Sequence, residues 1–172
     1  MRWAHADFQN AYEEAQVWQE YCGDQIRNRF GLDVYVTPKQ IAKTVFEAPE
    51  YKQQQDILVE GLLVEVKGRR EAFDSVESFP FGDPYTERVN RWNEKNEKPI
   101  CYVLISKPTG FMMWLDTERS FPSWYVIEDA YHSVHDAYYT TYACPLSFFK
   151  PLDGSFRSFI ERSIVRSLCL DQ

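Results

Sequence analysis

Asp56, Glu65 and Lys67 lie in the segment DILVEGLLVEVKGRR, residues 56–70. Their chemistry depends on whether they share a face. Read as a hairpin with a two-residue loop at Glu60-Gly61, the segment pairs Val59 with Leu62, Leu58 with Leu63, Ile57 with Val64 and Asp56 with Glu65. Side chains alternate along a strand, so Ile57, Val59, Leu62, Val64 and Val66 form one wholly apolar face. Asp56, Leu58, Leu63, Glu65 and Lys67 form the other. Facing pairs hold their Cβ atoms about 4.5–5.5 Å apart, and opposed like charges repel. Lys67, two residues along the same face, offsets some of that repulsion. A divalent cation would offset more. Mg²⁺ commonly takes one or two carboxylates together with water and substrate phosphate, and the Val64 and Val66 carbonyls add backbone oxygens within reach. Such an ion polarises a phosphoryl oxygen and acidifies a bound water. Lys67 would orient that water and stabilise the charge that develops. The ordinary alternative is a solvated sheet face on which the three side chains form a cross-strand salt-bridge group.

The elements around the hairpin follow from periodicity. Phe8, Ala11, Tyr12, Ala15, Trp18, Cys22, Ile26 and Phe30 recur at helical spacing, which predicts a first helix with an apolar stripe. Asp7 suits its N-cap and Gly31 its C-terminal stop. LDVYV reads as a short strand, and Thr37-Pro38 as the start of a weakly marked helix. Asp83-Pro84 predicts a helix over 83–96 with Val89 and Trp92 inward. PICYVLIS is a buried strand, KPTG a turn and FMMWLD the next, antiparallel strand. Strands are expected around 124–127 and 138–143, and SFRSFIERSIVRSLCL closes the chain as a helix. The expected fold is α/β (α+β): a single domain over 1–172, with a mixed central sheet that includes the hairpin, flanked by helices.

Composition narrows the function. The 172 residues suffice for one hydrophobic core, and 44% apolar with 16% aromatic content indicates a folded globule. A net charge of −7 has the wrong sign for an architectural DNA binder, though a local basic surface can coexist with an acidic body. Cys22, Cys101, Cys144 and Cys169 are scattered, without a CxxC pair, and read as reduced, mostly buried thiols of a cytoplasmic protein. The N-terminus has no signal-peptide pattern, and no apolar run reaches membrane-spanning length, so no membrane partner is expected.

Asp56, followed on the next strand by Glu65-Val66-Lys67, resembles the D…(D/E)xK signature of the PD-(D/E)XK nuclease superfamily, whose fold is called restriction-endonuclease-like. Those proteins share a helix, a three-stranded antiparallel meander, a further helix and a strand. The resemblance covers about 7–116 and leaves 117–172 as an aromatic-rich extension. It implies a Mg²⁺-dependent deoxyribonuclease, with Mn²⁺ as a substitute ion. Asp56 and Glu65 would be metal ligands, with the Val66 carbonyl, and Lys67 the catalytic lysine. Many members add a carboxylate from the first helix, for which Glu20 and Glu14 are the candidates. The proline that often precedes the aspartate is Gln55 here. The same resemblance implies DNA as partner and allows a homodimer that cuts both strands. Its alternative is a catalytically inactive nuclease-fold module that binds a protein or nucleic-acid partner.

Basic residues cluster after the motif. Arg69 and Arg70, then Arg88 and Arg91, could carry a phosphate backbone, with Tyr85 or Phe81 stacking on a base. Lys95 and Lys98 read instead as a solvated helix face balanced by Glu87, Glu94 and Glu97. His132 and His135, with Asp136, have helical metal-ligand spacing but no third ligand at an established distance.

Overall fold

The computed structural model describes residues 5–39, 55–132 and 137–170. It is a mixed α and β structure. The chain forms two compact units, Met1–Gly68 with Asp153–Gln172, and Arg69–Leu152.

The first unit contains α1 (His5–Phe30), β1 (Val34–Val36), β2 (Ile57–Val59), nearly all of β3 (Leu62–Arg69) and the C-terminal helix Gly154–Leu170. Helix α1 is already regular at His5, so Asp7 lies inside it and is not its cap. It stops where the sequence says. Gly31 takes φ +66° and its N–H donates to the Arg27 carbonyl at 2.9 Å, a left-handed turn that costs glycine little. Gly23 marks where α1 meets β1. A Cβ there would lie 3.0 Å from Val36 Cγ2 and 3.3 Å from Val34 Cγ1. Strands β1, β2 and β3 form an antiparallel meander. Phe30 and Phe156, with ring centroids 5.9 Å apart, join α1 to the C-terminal helix, where Phe156 and Ile160 are fully buried.

The second unit holds two antiparallel strand groups. In one, β5 (Cys101–Ser106) pairs with β6 (Met112–Asp116), which pairs with β9 (Lys150–Pro151). In the other, β8 (Ala137–Ala143) lies between β4 (Tyr85–Arg88) and β7 (Tyr125–His132). Its core is aromatic and includes Phe73, Trp92, Tyr102, Trp124 and Phe149.

One expectation fails here. Residues 85–88 are strand β4, and the helix α2 spans only Val89–Glu94. Asp83-Pro84 is a turn. Asp83 Oδ1 accepts the Leu146 N–H at 2.9 Å and Oδ2 accepts the Tyr125 hydroxyl at 2.8 Å. An aspartate committed to those two long-range donors does not cap a local helix, and the following residues pair with β8. Trp92 is the buried residue of α2, as its spacing suggested. Of the weakly marked helix after Thr37-Pro38, residues 40–54 lie outside the described residues, as do His135 and Asp136. Thr37–Lys39 carry no regular structure.

Candidate metal-binding carboxylate pair

The hairpin register decides which charges meet. Ile57 pairs with Val64, Leu58 with Leu63 and Val59 with Leu62, the pairing read from the sequence. The loop residues Glu60 and Gly61 take φ +50° and +78°. Positive φ at both central positions is the geometry of a type I′ turn, whose twist matches a hairpin. Glu60 accepts φ > 0 because its surroundings hold it there. Its N–H donates to the Asp33 carbonyl at 2.8 Å, and its carboxylate accepts the Asp33 N–H at 2.7 Å.

Asp56 precedes β2 and reaches β3 with its side chain. Its Oδ2 accepts the Val66 N–H at 2.8 Å. Its Oδ1 accepts from Lys39 Nζ at 2.6 Å and from Gln19 Nε2 at 2.8 Å. Lys67 Nζ donates to Glu65 Oε1 at 2.7 Å. Asp56 and Glu65 are each only 7% exposed. The two acids are therefore removed from water, unlike the solvated face of the ordinary alternative, while the Lys67 side chain keeps 26% exposure and pairs with Glu65. The apolar face is as expected, with Ile57, Val59, Val64 and Val66 all buried.

Burial sets the electrostatics. Desolvation raises the Asp56 carboxyl above its ordinary value of 3.8, and the Glu65 charge raises it further. Lys39 and Lys67 oppose both effects, yet the net direction is upward. Cys22, one turn beyond Gln19 on α1, is pushed up to about 12 by burial and by Asp56.

Two groups at this site were not among the sequence candidates. Lys39 arrives because the Thr37 N–H continues the strand pairing to the Asp56 carbonyl at 3.1 Å. The Lys39 N–H is then held by Gln16 Oε1 on α1 at 2.8 Å. No local pattern announces such a long-range placement. Gln19 did leave a signal. It lies three residues before Cys22 and seven before Ile26, helical spacing to two buried members of the stripe, and it is 3% exposed. Its Oε1 is buried without a hydrogen-bond partner. Such an orphaned acceptor costs about 1–3 kcal/mol. The two carboxylates expected from α1, Glu14 and Glu20, are both exposed, and Glu20 Oε1 accepts from Gln16 Nε2 at 3.2 Å.

The Val66 carbonyl leaves β3 on the same side as the Val66 N–H that binds Asp56, since both groups of one strand residue point to the same neighbour. Asp56, Glu65, Val66 and Lys67 are thus brought together. Their oxygens are hard donors of the kind Mg²⁺ takes. Among the described residues no group of three or more His, Cys, Asp and Glu side chains gathers as a metal site.

The expected phosphate-contacting residues lie in the second unit. Arg69 donates to the Tyr85 carbonyl, and burial lowers its guanidinium value while Glu71 and Glu87 oppose that. Arg88 sits 3.6 Å from the centre of the Tyr139 ring. Arg70 and Arg91 are exposed. Lys95 pairs with Glu87 at 3.5 Å, and Lys98 Nζ donates to the Lys95 and Trp92 carbonyls at the end of α2.

Among the described residues no helix is long and apolar enough to cross a membrane. Comparisons with family models, with curated proteins and with solved structures give no match to this chain.

Proposed function

We propose that this chain is a Mg²⁺-dependent nuclease of the PD-(D/E)XK type, with a restriction-endonuclease-like core, that hydrolyses phosphodiester bonds in DNA. The observation that carries the reading is the buried carboxylate pair, Asp56 and Glu65, with Lys67 Nζ 2.7 Å from Glu65 on a hairpin of the required register. Burying two acids together is costly unless cations compensate them. Asp56, Glu65 and the Val66 carbonyl would hold the ion, and Mn²⁺ would substitute for Mg²⁺. When bound, the ion supplies Lewis-acid stabilisation of phosphoryl charge and acidifies water. Lys67 then has two roles. Before substrate arrives it compensates Glu65; afterwards its three donors serve the attacking water and the negative charge on the phosphoryl oxygens. The Val66 N–H holds Asp56 to one orientation throughout. Arg69, Arg70, Tyr85, Arg88 and Arg91 are the residues proposed to meet the DNA, of which Arg70 and Arg91 are the exposed cations.

The test is cleavage of DNA by the purified chain with Mg²⁺, beside Asp56→Ala and Lys67→Ala variants whose folding is checked by circular dichroism. Both variants are expected to lose cleavage while folded. Undiminished activity in either would sink the assignment.

A second reading is a catalytically inactive nuclease-fold module that binds a protein or nucleic-acid partner. It is favoured by the ion pairs themselves, since Lys39 and Lys67 already compensate both acids. Calorimetry that finds no Mg²⁺ or Mn²⁺ binding at millimolar metal would select it.

A further inference from the structure

We propose that Gln19 supplies a third protein oxygen, Oε1, to the divalent cation held by Asp56 and Glu65. The inference rests on the metal-dependent reading above and adds to it a ligand that is neither an acid nor on the hairpin.

Three observations carry it. Gln19 is 3% exposed, so its carboxamide is removed from water. Its Nε2 is committed to Asp56 Oδ1 at 2.8 Å, which fixes the plane of the amide beside the carboxylate pair. Its Oε1, on the same amide carbon, is buried and unpartnered. A buried acceptor of this kind is ordinarily satisfied, and this one is open on a side chain already bound to Asp56, where a cation would satisfy it. The two carboxylates of α1 expected here, Glu14 and Glu20, are exposed.

The charge balance explains why an amide suits the position. Asp56 and Glu65 already repel each other across a buried site. A third carboxylate would add to that repulsion whenever metal is absent. An amide oxygen is a hard donor without charge, a ligand type used by oxygen-seeking cations. It raises the number of protein oxygens without adding a negative charge to the metal-free site.

The experiment uses the full chain with Mn²⁺ as the probe, read by calorimetry and electron paramagnetic resonance. Gln19→Met removes both polar atoms at similar volume. Gln19→Glu keeps an oxygen but loses the donor to Asp56. If Oε1 is a ligand, Gln19→Met weakens Mn²⁺ binding about tenfold or more and adds one metal-bound water. Gln19→Glu then binds within about threefold of the parent, or tighter, because the oxygen is retained. If Gln19 merely positions Asp56 through Nε2, both variants lose affinity alike and the water count does not change. That result overturns the proposal. Should Gln19→Met fail to fold, the unaltered chain labelled with ¹³C at glutamine carboxamides decides the matter. A strong coupling to bound Mn²⁺ that Gln19→Glu abolishes supports ligation, and its absence refutes it. Failure of the nuclease reading looks different: Mn²⁺ binding with these properties but no DNA cleavage leaves Gln19 a ligand in a site of other purpose. A folded parent chain that binds no Mn²⁺ overturns both.

Discussion

The hairpin unit and the second unit both bury acids, and they balance them in different ways. In the hairpin unit Asp56 and Glu65 lie close enough to raise the Asp56 carboxyl, even with a lysine on each. In the second unit Glu87 is 5% exposed and pairs with Lys95, while the charges that act on Arg69 are the two acids Glu71 and Glu87. There, opposite charges alternate and a guanidinium also ties down the Tyr85 carbonyl. That arrangement sets each buried acid against a cation and ties down strand β4, although Arg69 Nε and Glu71 Oε2 stay buried without a hydrogen-bond partner. The carboxylate pair keeps a residual repulsion and an unmet acceptor on Gln19, both of which a cation would relieve. Buried charge serves folding where it cancels internally, and points to a ligand where it does not.

The sharpest way to break this comparison is Glu87→Ala. It removes the Glu87–Lys95 pair and one of the two acids that act on Arg69, a buried guanidinium, so a loss of about 3–5 kcal/mol in urea unfolding is expected. The loss should be the same with and without millimolar Mg²⁺. A loss that metal repairs would show that the two units do not differ as described. Lys39→Met is the counterpart in the hairpin unit. Asp56 can take up a proton when its lysine is gone, so the metal-free protein should lose less, about 1–3 kcal/mol. Added Mn²⁺ should then stabilise the variant more than the parent, because one cation replaces another. Thermal melts across a Mn²⁺ series read this directly, and equal metal-induced shifts in the two proteins would count against it.

The smallest effect is in pH. Because the folded-state value of Asp56 is raised above 3.8, the folded metal-free protein holds a proton that the unfolded chain has released. Stability from this group is therefore undiminished below 3.8, falls as pH rises through the raised value, and is level above it. Asp56→Asn should flatten that part of the stability profile. A profile of unchanged slope would mean that another group governs it.

How much was visible in the sequence follows from which interactions are local. The strand period of two and the Glu60-Gly61 loop determine the hairpin register, so the placing of Asp56, Glu65 and Lys67 on one face could be derived residue by residue. The burial of the two acids could not, because alternation says which side chains share a face and not what covers it. Lys39 enters the site through a loop anchored to α1 by Gln16, and nothing near Lys39 in sequence records this. Gln19 was readable only from its spacing to Cys22 and Ile26, since Trp18 already filled that turn of the stripe. Asp83-Pro84 misled because the same two residues suit a helix start and a turn. The choice was made by Leu146 and Tyr125, some forty to sixty residues away.

The left-handed pair Glu60-Gly61 has a consequence for how this site can be lost. A slip of one position in the pairing of β3 with β2 would turn each side chain of β3 to the other face. Glu65 and Lys67 would turn to the side now filled by Val64 and Val66, and the acid pair would come apart with every charged residue still present. The pairing register is thus as much a requirement of the site as its carboxylates.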